Sequence, residues 1–278
     1  MKHILNELSQ RYPQLLFPIA PGTSQTEEYR DVVYRGKVYH GELDFTMSDR
    51  DWFVTLETPA GTAEALLLHN RRDFEKCACA LTNKCEPREI PPSVGAFMIS
   101  GLINWKKVRQ ICSDRGGVTP ANLAFIKFSG QSIHDRLILL SSGWYSGVAP
   151  EAMGLSDEDW TEKSVTIRMY HELTHFICRS LYPKNIDIIR DEVFADLIGL
   201  VAAFGYYDPS VAKLFLGITD TGFTATGRIH HYIKDQAPDQ VFQEVNAWIS
   251  LLDEKVKEPT EDITKLTVRL FEEIIQVN

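Results

Sequence analysis

Between Ser156 and Gly205 the chain reads as two long helices interrupted once, and that pairing constrains the rest of the fold more than any other segment. Ser156 is a natural N-cap, with Asp157, Glu158 and Asp159 in the first turn, where carboxylates complement the exposed amides. Pro183 ends this helix near Leu181, because the residue before a proline is driven out of the helical region. After a turn at "YPKNI", a second helix is predicted over 187–205, stopped by Gly205 and Asp208-Pro209. Its opening, "DEVFADLIG", sets Asp191, Glu192 and Asp196 into an otherwise apolar run. Acidic side chains are seldom buried unless they are paired or bound to a metal, so these three need a reason.

The remainder of the 278 residues is ordinary for a globular chain, with 44% hydrophobic and 24% charged residues. The net charge of −9 comes without a basic stripe, which argues against nucleic acid as a partner. Arg71-Arg72 and Lys106-Lys107 read as solvated surface. The start, "MKHILNELSQRYPQLLFPIAPG", lacks the continuous apolar core of a secretory signal and reads as a short amphipathic helix. Nowhere do 18 apolar residues run together, so no membrane span is expected. The expected location is intracellular and cytoplasmic, and there the 5 cysteines are expected as free thiols.

The first half alternates in the manner of strands. "RDVVYRGKVYHGELDF" reads as two strands around Arg35-Gly36, and "WFVTLETPAGTAEALLLHN" as a hairpin turning at Pro59-Ala60-Gly61. "RRDFEKCACALTNK" reads as a short helix, and "INWKKVRQICSDRGG" as a helix stopped at Gly116-Gly117. "LAFIKF" and "DRLILLS" read as further strands. Shorter helices are expected near 210–216 and 225–235, then amphipathic ones near 239–256 and 261–276. The expected class is α+β: a mixed or antiparallel sheet in region 1–150, and a helical, metal-binding region 151–278, the two possibly forming one integrated domain.

Within the first long helix, residues 171–175 read "HELTH". His171 and His175 are four apart, so both rings leave one face of the helix and can share an ion. Glu172 lies about a quarter turn away, within reach of a metal-bound water without being a ligand. Zinc suits the imidazoles and brings the pKa of that water to about 7, so that a neighbouring carboxylate can accept its proton. At 100° per residue, Met169, Tyr170, Leu173, Phe176 and Ile177 gather opposite His171, leaving His171, His175, Arg168 and Cys178 on the other face.

A catalytic zinc takes three protein ligands and keeps one position open. The metzincin pattern H-E-x-x-H-x-x-G-x-x-H would need Gly at 178 and His at 181, where this chain has Cys178 and Leu181. The pattern with a glutamate on the next helix, E-x-x-x-D, is present as "EVFAD". "HELTH" followed by "EVFAD" resembles the thermolysin-like gluzincins, within the wider zincin class of metallopeptidases, over about residues 165–205. The resemblance implies His171, His175 and Glu192 as ligands of one zinc ion and Glu172 as general base. It also implies that Asp196 accepts a hydrogen bond from the His171 ring and fixes its tautomer. On a helical wheel Asp196, Gly199 and Ala203 fall within about 40° of Glu192, so the acidic face is also the small-residue face that lets two helices approach. Asp191 points about 100° away and reads as a solvated first-turn residue.

The accessory groups are less marked. In "GRIHHYI", Arg228, His231 and Tyr232 share a helix face, and His231 is the candidate oxyanion donor; an ordinary amphipathic helix is the alternative. "DRLILLSSGW" is the candidate edge strand for a peptide, by analogy with zincins, or an interior strand. Trp144, Tyr145, Ser146 and Gly147 could line a cleft or form a packed turn. Cys77, Cys79 and Cys85, with Cys112, read as a second metal or redox site or as small buried thiols. Cys178 is a rival ligand or a packing residue. The expected function is a zinc-dependent hydrolase, a peptidase acting on a peptide or protein substrate. The alternatives are a binding or regulatory protein on a zincin scaffold, and a hydrolase of non-peptide amides or esters.

Overall fold

The computed structural model describes residues 2–183, 187–233, 236–256 and 262–274. In chain order the regular elements are α1 (Lys2–Arg11), α2 (Glu27–Val33), β1 (Trp52–Thr58), β2 (Gly61–Leu68), α3 (Arg71–Thr82), β3 (Ala96–Ile103), α4 (Trp105–Cys112), α5 (Pro120–Phe128) and β4 (His134–Ser141). The helices α6 (Pro150–Met153), α7 (Asp157–Leu181), α8 (Ile188–Phe204), α9 (Pro209–Leu216), α10 (His230–Ile233), α11 (Pro238–Lys255) and α12 (Ile263–Ile274) follow. The class is α+β. The chain divides into two compact units, one of Met1–Val54, Glu64–Pro91 and Phe97–Ser141, the other of Thr55–Ala63, Pro92–Ala96 and Ser142–Asn278.

The sheet is mixed, in the order β1-β2-β4-β3. β1 and β2 form the expected hairpin, closed at Pro59-Ala60, with Gly61 at φ 99° supplying the left-handed conformation that the turn needs. β2 and β4 run parallel, pairing Ala65 with Ile138, Leu66 with Leu139 and Leu67 with Leu140. All six of these residues are buried, as expected where a parallel pair is covered on both faces.

Several local expectations for this half are corrected. Residues 27–33 form a helix, not a strand: Thr26 Oγ1 caps Tyr29 N at 3.2 Å, and Glu27 and Glu28 occupy the first turn. The stretch after Arg35-Gly36 is not a strand either. Thr46 N and Met47 N donate to the Asp73 carboxylate at 3.1 and 2.9 Å, so a side chain replaces a ladder partner there. "LAFIKF" is helical because Thr119 caps Asn122 N and Pro120 opens the first turn. "DRLILLS" is a strand, but β3 pairs outside it, so it is interior and the edges are β1 and β3. The strand "AFMISGLI" is one that the sequence reading did not anticipate.

Asp135, at the start of β4, gathers the charges of the first unit. Its carboxylate accepts from Arg11 and Tyr12 at 2.7 Å each, from Asn104 at 2.6 Å and from Lys107 at 2.8 Å. Burial alone would raise its pKa, yet these donors win and hold it down at about 2.

In the second unit α8 touches α7, α9, α10, α11 and α12, which is why it is buried almost all around. Ser156 caps α7 through Asp159 N at 3.1 Å. Asp187 caps α8 through Ile189 N and Arg190 N, both at 3.0 Å, and Gly205 at φ 80° closes it. The turn read at "YPKNI" lies, over 184–186, outside the described residues. The helix expected near 225–235 is described only as α10, with 234–235 outside, and 261, 275 and 276 lie outside at the ends of α12. Among the described residues no helix is long and apolar enough to cross a membrane. At Gly199 an added Cβ would lie 2.9 Å from both Ile167 Cγ2 and Ile167 O, so the small residue does let α8 approach the α7 backbone.

Two outcomes follow. Folding lowers the Asp135 pKa, so its stabilisation of roughly 2 kcal/mol is complete above the ordinary carboxylate range and is lost as pH falls from about 4 toward 2. Asp135→Asn should lower urea stability at neutral pH by about that amount and flatten the acid limb. Gly199→Ala should cost about 1–3 kcal/mol, because backbone stands in the way; an unchanged unfolding midpoint would deny the close approach.

Candidate metal centre

Three side chains of the second unit converge where α7 meets α8. His171 Nε2 lies 3.1 Å from His175 Nε2, and 3.4 Å from Glu192 Oε2. His175 Nε2 lies 3.4 Å from Glu192 Oε1. Four-residue spacing along α7 and the close crossing at Gly199 produce this geometry from regular helices. Among the described residues this is the one group of three or more His, Cys, Asp or Glu side chains arranged to hold a metal ion.

The opposite ring edges explain which lone pairs face inward. His171 Nδ1 faces Asp196 Oδ1 at 2.9 Å, and His175 Nδ1 faces Asp191 Oδ2 at 3.0 Å. A carboxylate on each Nδ1 favours the Nδ1–H tautomer, which leaves both Nε2 lone pairs directed at one another and at Glu192. Such an arrangement is one that can accept a cation between its members. Donors about 3.3 Å apart are what a tetrahedral ion with bonds of ~2.0–2.1 Å would hold, so the residues fit zinc.

The electrostatics are those of buried charge balanced locally. Burial works to lower the pKa of His171 and His175, but Asp196 and Glu192 on the first, and Asp191 and Glu192 on the second, outweigh it and raise both. Burial would raise Glu192, yet the two histidines hold it well below the carboxylate range. Asp196 is 0% exposed and has its second oxygen ion-paired with Arg228, while Asp191 is 4% exposed and meets Arg179 at 3.0 Å.

Asp196 is therefore where the sequence led one to expect it, beside the His171 ring. The reading of Asp191 as a solvated residue is corrected: it is buried against His175. Glu172 follows His171 on α7 and is partly exposed. His231 is not brought to the cluster. It is exposed, and its ring meets that of Tyr232, with centroids 6.4 Å apart. The chain just before α10 instead sends Arg228 to Asp196, and Tyr232 of α10 packs against the core around α8. Tyr145 is a further member, its hydroxyl 2.6 Å from Asp196 Oδ1. Cys178 is wholly buried in the core around α8 and takes no part in the ligand group. Cys77, Cys79, Cys85 and Cys112 are free and buried; Cys85 Sγ donates to Gln14 O at 3.2 Å and Cys79 Sγ to Arg88 O at 3.5 Å. Their pattern is that of packed thiols.

Comparison with protein families gives a match over residues 2–276 to a family of unknown function, DUF7005. The chain belongs to the DUF7005 family. No curated protein and no solved structure matches it. The family description carries no chemistry, so the function of this DUF7005 chain has to be argued from the site itself.

Orienting carboxylates on metal-bound histidines are worth about 10–100-fold in metal affinity. Asp191→Ala should weaken zinc binding by that factor in a competition titration against a chromogenic chelator. Unchanged affinity would reduce Asp191 to an ion-pair partner of Arg179.

Proposed function

We propose that this chain is a zinc-dependent hydrolase of zincin type, a peptidase acting on a peptide or protein substrate. The observation that carries the reading is the trio of donor atoms of His171, His175 and Glu192, 3.1–3.4 Å apart, with Glu172 beside it on α7. His171, His175 and Glu192 would hold the ion. When bound, zinc supplies a Lewis acid that polarises a carbonyl and makes water acidic near neutral pH.

The rest of the chemistry belongs to the chain. Glu172 takes the proton of the attacking water and delivers it to the leaving amine. For the developing oxyanion we assign Tyr232 in place of His231, because Tyr232 packs against the core around α8 while His231 is exposed. Asp196 and Asp191 favour a proton on Nδ1 of the two imidazoles and so aim each Nε2 at the ion. The setting we propose is cytoplasmic, where five free, buried cysteines persist without oxidation.

A second reading draws support from burial. His171 and His175 are 7% and 3% exposed, which suits a closed metal site tying α7 to α8 in a binding or regulatory protein. The two readings part at Glu172, which a purely structural site does not use.

Protein isolated without chelator should carry one zinc per chain. Glu172→Gln should keep that zinc and lose about 10²–10⁴-fold in turnover of a peptide library. Zinc-free protein would sink both readings. Fully loaded wild type that cleaves nothing would leave the structural one.

A further inference from the structure

We propose that Tyr145 is a positioning residue of the metal centre, held in place by a stripe of α7 that continues directly into the zinc ligands. The proposal rests on the reading of His171, His175 and Glu192 as a metal site.

The hydroxyl of Tyr145 stands at the junction of three groups. It donates to Asp196 Oδ1 at 2.6 Å, lies 3.0 Å from His171 Nδ1, and accepts from Arg228 Nη1 at 2.8 Å. Asp196 Oδ1 thus receives both the phenol and the His171 ring N–H, while its Oδ2 is ion-paired with Arg228. A carboxylate filled in this way has one orientation, and the imidazole that donates to it has one tautomer. The His175 side has no such support: Asp191 is met there by Arg179, whose side chain is 52% exposed. The two ligand histidines are therefore held unequally, and the phenol, with Arg228, makes the difference.

The placing of Tyr145 is itself over-determined. Its loop holds Ser146 at φ 52°, which a non-glycine residue rarely adopts, between Gly143 at φ 146° and Gly147 at φ 70°, where glycine is at ease. Trp160 Nε1 donates to Val148 O at 2.7 Å, and Ser164 Oγ accepts from Tyr145 N at 2.9 Å. Arg168 donates to Gly143 O at 2.6 Å and to Trp144 O at 2.8 Å. Arg168 is fixed in turn, since a Cβ at Gly95 would lie 2.3 Å from its Nε. Trp160, Ser164, Arg168, His171 and His175 are spaced four, four, three and four residues apart, which places them along one face of α7. The first three clamp the loop, and the last two bind the metal. The guanidinium carbons of Arg168 and Arg228 lie 5.7 and 5.2 Å from the centre of the Tyr145 ring.

The test is Tyr145→Phe, which removes the hydroxyl and keeps the ring that packs on Phe215. Three quantities are read: zinc affinity by chelator competition, the visible spectrum of the cobalt-substituted protein, and the thermal unfolding of the metal-free protein. The expected result is zinc binding weakened about tenfold or more, with a shifted cobalt spectrum, while metal-free unfolding stays close to wild type. A metal-free variant that unfolds much earlier would make the hydroxyl a general structural bond and overturn the proposal. Unchanged affinity and spectrum would overturn it while leaving the metal site standing. Wild type that binds neither zinc nor cobalt would bring down the metal reading, and this proposal with it.

Discussion

Charge buried inside a helix pair is the constraint on which the rest of the second unit depends. α8 is enclosed on nearly every side, yet it carries Asp191, Glu192 and Asp196 into its contact with α7. A carboxylate in such surroundings must be met by a donor or a cation. Asp191 is met by His175 and Arg179, and Asp196 by His171, Tyr145 and Arg228. Glu192 is the remaining one, 3.4 Å from Nε2 of each histidine, whose Nδ1 atoms lie beside Asp196 and Asp191. The three donor atoms are so arranged that they could hold one ion.

How much of this was legible beforehand depends on whether the signal was periodic. The two histidines and the Glu192–Asp196 pair lie on the helical repeat, and Gly199 belongs to the same repeat, so the crossing of α7 and α8 could be read from spacing alone. Asp191 was misread because a wheel drawn for one buried face supposes that the other face is wet. The first turn of α8 is wet at Ile188 and Arg190 but not at Asp191, which meets the next ring of α7 instead of water. Tyr145 and Arg228 come from loops 26 residues before His171 and 32 residues after Asp196. No local pattern joins residues so distant in sequence.

In the first unit the errors have a common cause. "LAFIKF" and "RDVV" carry apolar alternation that suits a strand, but the capping residues just ahead of them, Thr119 with Pro120 and Thr26 with two glutamates, start helices. The start signal outweighed the alternation in both. "AFMISGLI" had the reverse difficulty, being apolar without alternation and interrupted by Gly101, which adopts φ 75°. "DRLILLS" was correctly a strand, but whether a strand is central or peripheral is a property of its neighbours, and those were not yet known.

The arrangement of Arg168 and Gly95 bears on how such a protein can be taken apart. Gly95 belongs to Pro92–Ala96, a five-residue excursion of the early chain that is counted with the second unit. A single cut after Ser141 would leave every proposed ligand on the C-terminal piece, but it would remove the glycine against which the Arg168 side chain rests. The second unit is thus assembled from discontinuous stretches of chain. It is not a module that recombination or truncation at one point could transfer intact, and a working fragment would have to bring the 92–96 stretch with it.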